Sequence, residues 1–204
     1  MSPTSSDRDS ILEFWFGADP ADPDAVRAKQ PLWFTIDSAV DDEIRRRFGD
    51  AWAAATRGEL DWAKEARGAL AIVILLDQFS RNLQRGKAAA FAHDGRALAT
   101  ATAAIEAGCD QNLLPPERSF LYLPFEHAEA IALQHRSVAL FSTLAREGGP
   151  DWTWLTEDTL KWARLHLEII ERFGRFPHRN LVLGRAPTAA EERYLAEGGA
   201  RFGQ

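Results

Sequence analysis

Apolar residues recur at helical spacing along most of the chain. One face is marked at every fourth residue by Ile36, Val40, Ile44, Phe48 and Trp52. Charged residues lie between them, so this pattern predicts a long helix that stops near Gly58. Comparable patterns predict helices over residues 8–16, 66–79, 87–107, 115–144, 156–173 and 188–196.

Prolines and a capping pattern mark some of the predicted helix ends. Pro115 and Pro116 open the segment 115–144, since proline is tolerated in a first turn. Pro124 is expected to interrupt that segment and to kink its axis. Thr188, with Glu191 three residues later, predicts a capping box at the start of the last helix.

Residues 66–79 contain the apolar run ALAIVILL, whose periodicity alone does not separate a buried helix from a buried strand. A helix is favoured because no other run resembles a strand that could pair with it. Asp77 and Arg81 would also be neighbours one helical turn apart. The sequence therefore predicts an all-α fold, an array of antiparallel helical hairpins with about eight or nine helices. We expect one domain over residues 1–204, with residues 1–7 disordered.

Composition and charge narrow the classes of function. A net charge of −6 disfavours a nucleic-acid partner. No apolar run approaches the ~20 residues that span a bilayer, and the polar N-terminal segment MSPTSSDRDS does not resemble a signal peptide. The single Cys109 excludes an internal disulfide and fits a reducing compartment. We expect a cytoplasmic protein with no nucleic-acid or membrane partner.

A short phrase occurs twice, each time at the end of an apolar helical run. LLDQFSRNL occupies residues 75–83 and FGRFPHRNL residues 173–181, so both close on Arg-Asn-Leu. The stretches 78–92 and 172–185, which contain the Arg-Asn-Leu ends of the two phrases, have no Asp or Glu and are locally positive in an acidic protein. A third segment, LYLPFEHAE at 121–129, also embeds charge in apolar sequence. Such charge is costly unless it is paired or used, so the three segments predict a pocket suited to a small anion.

The predicted ligand-binding residues are Arg81, Asn82, Asp94, His166, Arg179 and Asn180. The guanidinium groups of Arg81 and Arg179 suit bidentate contact with phosphate or carboxylate. Asp94 shares a helical stripe with Phe91 and Leu98, and an inward carboxylate needs a cation such as Arg81 or Arg179. A purely structural ion pair is the alternative for Asp94.

Acid–base candidates lie close to two prolines. We predict that His178, after Pro177, or His127, after Pro124, acts as general acid or base, with Glu126 as its orienting partner. His166 points with the apolar face of its helix, and its alternative is a core histidine satisfied by one hydrogen bond.

Two further alternatives stay open for these residues. A metal site is one of them, although the sequence lacks HExxH and the usual cysteine patterns of zinc sites, and we predict neither metal nor cofactor. Its ligands would come from Glu126, His127, His166 and His178. The other is that both Arg-Asn pairs form helix C-terminal turns, in which Asn adopts a left-handed conformation and Arg caps carbonyls.

Four segments, LLDQFSRN, AFAHDGRAL, RSFLYLPFEHAE and IIERFGRFPHRNLVLGR, resemble the bacterial family called domain of unknown function 924 (DUF924). The resemblance implies a cytoplasmic, all-helical protein with a tetratricopeptide-like superhelix and no established activity. It transfers no catalytic residue. Ser80 stands where the family usually has Pro, which makes that turn less rigid. Ala128 stands where Ser is common, which argues against a hydroxyl nucleophile there.

Three functions are compatible with this sequence. The pocket could bind a small anionic ligand and carry out hydrolytic or transfer chemistry on it. The helical array could instead be a scaffold whose Arg and Asn side chains clamp the C-terminal carboxylate of a peptide. The repeated phrases could also form buried ion-pair networks that fix helix packing without any ligand. The sequence leaves the oligomeric state open.

Overall fold

The computed structural model describes residues 4–202, and every regular element within that range is helical. The α-helices are α1 (Ser5–Phe16), α2 (Pro23–Arg27), α3 (Gln30–Phe34), α4 (Ser38–Arg57), α5 (Ala66–Val73), α6 (Ser80–Leu83), α7 (Asp94–Glu106), α8 (Pro115–Glu126), α9 (Ile131–Glu147), α10 (Thr153–Phe173) and α11 (Ala189–Ala196). Eight of them have eight residues or more, so the expected all-α fold is confirmed.

The first described helix begins inside the segment 1–7, for which the sequence predicts disorder. Residues 1–3 lie outside the described range, and α1 begins at Ser5. The backbone N–H and the side-chain hydroxyl of Thr4 both donate to the Asp7 carboxylate, and the bond from the N–H satisfies a backbone donor at the start of α1.

Other helix ends follow their sequence signals closely. Gly58 ends α4 in a left-handed conformation with φ 76°, and Thr188 with Glu191 forms the predicted capping box of α11. Pro124 lies inside α8 without ending it, and the interruption comes at residues 127–130. The later break places Glu126 at the last position of α8 and His127 immediately after it.

The predicted helix over residues 66–79 is present, but its second half is not an ordinary α-helix. Ile74–Phe79 forms a π-helical turn between α5 and α6. A π-turn inserts about one extra residue, which rotates the residues after it by about 100° around the helix axis. Asp77 lies within this turn and is completely buried, while Gln78 is partly exposed.

Helix α5 is the centre of the molecule. Residues 68–77 are all buried, and α5 packs against α1, α7 and α8. The largest hydrophobic cluster forms around it and includes Trp15, Phe79 and Phe120. Helices α8, α9 and α10 pack on one another in chain order, which brings the end of α8 close to α10. Within residues 4–202 no helix combines the length and hydropathy needed to cross a membrane.

Candidate functional site

All three sequence segments contribute to one cavity of about 600 Å³. The predicted site residues that line it are Arg81, Asn82, Glu126, His127, His166, His178 and Arg179. Asp94 lies behind the two arginines and does not line the cavity, and Asn180 does not line it either.

Much of the remaining wall is aromatic. These side chains come from five separate parts of the chain: Trp33 and Phe34, Phe91, Phe120, Trp162, and Phe202. Gln78 and Ser119 add polar groups, and Asp158 lies near Trp162, whose indole N–H donates to its carboxylate at 3.1 Å. A cavity with apolar walls and a few polar groups is the usual form of a small-molecule site.

Asp77 is the buried acceptor that joins the first and second segments. His127 Nδ1 lies 2.7 Å from its Oδ1, and Arg81 reaches the same oxygen at 3.2 Å. The side-chain amide of Gln78 donates to Oδ2. Burial alone would raise the pKa of Asp77, but the charge of Arg81 and the hydrogen bonds from His127 and Gln78 lower it below its ordinary value. The carboxylate is therefore ionised.

An ionised Asp77 determines the protonation pattern of His127. Burial lowers the pKa of His127 below its ordinary value, against the opposing effect of Asp77, so the imidazole is neutral at pH 7. Its single proton lies on Nδ1, which donates to the carboxylate, and Nε2 keeps a free lone pair. A neutral imidazole held in one tautomer is suited to act as a base.

Arg81 is fully compensated by carboxylates. It donates to both oxygens of Asp94 at 3.0 and 3.2 Å, and to the backbone carbonyl of Asp77 at 2.9 Å. Burial opposes the charge of this guanidinium, but Asp77 and Asp94 raise its pKa. The predicted cationic partner of Asp94 is therefore Arg81.

Arg179 is buried but poorly compensated. Its side chain is 7% exposed, and its closest carboxylate, Asp94, is 3.7 Å away and already occupied by Arg81. Its Nη1 donates to the backbone carbonyl of His127 at 3.0 Å, while Nε has no hydrogen-bond partner in the described chain. The guanidinium lies 4.7 Å from the ring centre of Phe91 and 4.5 Å from that of Phe176. Burial, followed by the charge of Arg81, lowers its pKa to about 10.

Glu126 is a buried carboxyl group whose surroundings favour the protonated form. Burial and the negative charge of Asp77 raise its pKa well above the ordinary value. Its Oε1 lies 3.2 Å from Nδ1 of His166, while Oε2 has no hydrogen-bond partner among residues 4–202. His166 also contacts the backbone carbonyl of Trp162 at 2.9 Å, and burial lowers its pKa well below the ordinary value. Burial thus favours the uncharged form of both groups.

His178 lies beside Arg179 and is also uncharged. Burial and the charge of Arg179 lower its pKa to about 3. Its Nδ1 is buried and has no hydrogen-bond partner in the part of the chain described. The sequence predicted His178 or His127 as the acid–base group. Of these two histidines, His127 is the one whose tautomer is fixed by a carboxylate.

The two asparagines have structural partners. Asn82 donates to Asp41 at 2.7 Å, and Asn180 accepts from Arg185 at 2.9 Å. The possibility that they adopt left-handed turns is wrong, because Asn180 has φ −57° and Asn82 lies inside α6. Arg185 also binds Glu129, whose carboxylate accepts the backbone N–H of Phe176.

A metal site receives no support from the geometry. Within the described range 4–202, no group of three or more His, Cys, Asp or Glu side chains is arranged to hold a metal ion.

Sequence reasoning missed the central role of Asp77 and the aromatic wall. The spacing of Asp77 and Arg81 did indicate their contact, but not the contact of Asp77 with His127. Seven Trp and twelve Phe residues signalled large aromatic packing without indicating where it occurs. No pattern in the sequence around Phe202 indicated that its side chain lines the cavity.

Comparisons with known proteins agree with the family resemblance. The family model described as "Bacterial protein of unknown function (DUF924)" matches residues 11–199. The solved structure of the protein of unknown function ATU0120 from Agrobacterium tumefaciens is similar, with 41% sequence identity and a TM-score of 0.81. The alignment covers 96% of this chain and 100% of that one. No curated protein matches the chain.

Replacing Arg81 and Arg179 in turn by methionine is expected to have different effects on the stability of the protein. Methionine keeps the apolar volume of the side chain and removes its charge. Arg81→Met leaves Asp77 and Asp94 without their main cation and should lower the free energy of unfolding by about 3–5 kcal/mol. Arg179→Met removes a poorly compensated charge and should leave stability unchanged or higher. Urea unfolding of both variants measures this difference, and equal losses would contradict it.

The raised pKa of Glu126 predicts an unusual pH dependence of stability. Its folded pKa is raised, so the folded state loses stability as pH rises above the unfolded value of about 4.3. Glu126→Gln should match the wild type near pH 4 and become more stable than it at higher pH. The gain should reach up to about 1.4 kcal/mol per pH unit until the folded pKa is passed. Unfolding free energies from pH 4 to 8 measure it.

Glu129 is the matched control, because its pKa shift has the opposite sign. Burial would raise its pKa, but Arg185 and the Phe176 N–H lower it. Glu129→Gln should therefore destabilise the protein at pH 7, by about 2 kcal/mol, and this loss should shrink as pH falls below about 4. The same pH trend in both variants would show that Glu126 is ionised.

Proposed function

The chain belongs to the DUF924 family of bacterial proteins of unknown function, and we propose that its cavity binds a small anionic ligand. The ligand carries a phosphate or carboxylate group, which Arg179 binds. His127 and Glu126 then supply acid–base chemistry of the hydrolase or transferase type.

The state of Arg179 carries this proposal. A guanidinium in a low-dielectric site is costly unless negative charge compensates it, and its closest carboxylate is shared with Arg81. A bound anion would supply that charge and an acceptor for the unpaired Nε–H. The aromatic rings on Arg179 restrict its side chain, which reduces the entropy lost on binding.

Arg81 supports the proposal in a different way. Its two carboxylate partners occupy its donors, so it fits the structural ion-pair role that the sequence left open for both arginines. It maintains Asp77 as an anion, and Asp77 fixes the tautomer of His127. The ion-pair network is thus the support of the site, and Arg179 is its ligand-binding group.

The two acid–base groups have opposite roles, with His127 as the proton acceptor and Glu126 as the proton donor. Nε2 of His127 takes the proton of an attacking water or acceptor hydroxyl, whose oxygen forms a bond to the phosphorus or carbonyl carbon of the ligand. As the bond to the leaving oxygen breaks, that oxygen receives the proton of Glu126. The pair ends as imidazolium and carboxylate, and return of the proton through water restores both. His178, with a pKa of about 3, serves as a neutral hydrogen-bonding group.

Titration calorimetry with inorganic phosphate, acetate and a panel of phosphorylated and carboxylated metabolites tests the binding. At least one anion should bind saturably and raise the melting temperature at constant ionic strength. Arg179→Met should weaken that binding at least about tenfold, because a charge-assisted hydrogen bond is lost.

Arg118→Met is the matched control. Arg118 is similarly buried, with 10% side-chain exposure, but it pairs with Glu147 and does not line the cavity. It should leave anion affinity unchanged. The proposal would be overturned if no anion bound saturably, or if Arg179→Met bound the anion with unchanged affinity.

A further inference from the structure

The aromatic ring of Phe202 lines part of the cavity. Its ring stacks on His166, with centroids 3.9 Å apart and an interplanar angle of 27°. Three further rings surround it in tilted or edge-on orientations, namely Trp162 at 6.1 Å, His178 at 5.2 Å and Phe176 at 6.2 Å. We call these four side chains, His166, Trp162, Phe176 and His178, the ring cage.

The backbone of Phe202 is strained in this position. Its φ of +49° is the one positive value for a non-glycine residue within residues 4–202. Such a conformation costs of order 1 kcal/mol and persists only when surrounding contacts maintain it. The contacts that maintain it here are those of the ring with the cage.

The cage adjoins the polar groups that lack partners. Phe176 touches both the Phe202 ring and the guanidinium of Arg179, so the cage and the cation share a side chain. His166 lies 3.2 Å from Glu126, whose Oε2 is unpaired in the described residues, as is Nδ1 of His178. A partly buried ring slot therefore borders buried polar atoms that have no hydrogen-bond partner in the described chain.

We propose that the ring cage is a subsite for a flat aromatic ring of the ligand, and that Phe202 occupies it in the ligand's place. The ligand is an aromatic phosphate or carboxylate, with its ring in the cage and its anionic group on Arg179. This inference rests on the proposed anion-binding function and adds the ligand's chemical class. Phe202 leaves the cage when the ligand enters, which also releases its strained backbone.

Ring stacking distinguishes an aromatic ligand from an aliphatic one of the same size. Stacked and edge-on aromatic pairs are stabilised beyond the area they bury, because the negative ring face meets positive ring edges. His166 offers a face and three other rings surround the slot at steep angles, so a saturated ring would gain only the burial.

The first experiment uses the unmodified protein and paired probes. Calorimetry compares phenyl phosphate with cyclohexyl phosphate and inorganic phosphate, and benzoate with cyclohexanecarboxylate and acetate. In at least one of the two sets, the aromatic probe should bind about three- to tenfold more tightly than its saturated counterpart.

Two variants test the cage itself. Phe202→Ala removes the competing ring and should strengthen binding of the aromatic probe, by about three- to tenfold, since more of the protein has an empty cage. Trp162→Ala removes one wall of the cage. It should lower the affinity for the aromatic probe without changing the affinity for inorganic phosphate. Trp162 is 39% exposed, so this variant should keep its fold. Trp154→Ala, on the same helix but outside the cavity, is the matched control.

The outcomes separate the two proposals. If anions bind through Arg179 but aromatic and saturated probes bind equally, the ring subsite is wrong and the anion site stands. If no probe binds, or binding does not depend on Arg179, the proposed function fails together with the subsite. Weaker binding of the aromatic probe in Phe202→Ala would also overturn the subsite, because it would make Phe202 a wall of the site and not a substitute for the ligand.

Discussion

One buried carboxylate holds this cavity together. Asp77 has no exposed surface, yet it is ionised, because Arg81, His127 and Gln78 all direct donors at it. Removing any one of these donors leaves a charge inside the protein without full compensation. The packing of the π-helical turn against the end of α8 is thus tied to electrostatic balance as well as to apolar contact.

The ion-pair network continues from Asp77 through Arg81 to Asp94, and its last member, Arg179, is only partly compensated. Asp94 shares its carboxylate between Arg81, which it holds in a bidentate pair, and Arg179, which it reaches only at 3.7 Å. Two carboxylates and two guanidinium groups balance formally, but the negative charge lies on the Arg81 side. The unevenness leaves a buried cation at the cavity wall, close to Glu126, whose pKa burial raises, and to imidazoles whose pKa values burial lowers. This uneven compensation is the basis for the proposed binding of an anion.

The helices, and the meeting of the three charged segments at one cavity, could be predicted from the sequence. The difference between the two repeated phrases was not predicted. Periodicity placed Asp94 and His166 on inward faces, and the acid-free stretches 78–92 and 172–185 marked the Arg-Asn ends of both phrases as basic. Arg81 has Asp77 one turn before it, while the residue four positions before Arg179 is Arg175, so the sequence contained the asymmetry. The π-helical turn and the contacts of Phe202 could not be foreseen, because both depend on packing between residues far apart in the chain.

The protonation state of His127 decides whether Asp77 prepares a base, and long-range nitrogen–proton NMR correlation of the imidazole at pH 7 measures it. We predict a neutral ring with the proton on Nδ1 and an unprotonated Nε2, and a weakened preference for that tautomer in Asp77→Asn. A positively charged ring at pH 7, or a proton on Nε2 in the wild type, would contradict the claim that Asp77 prepares His127 as a base.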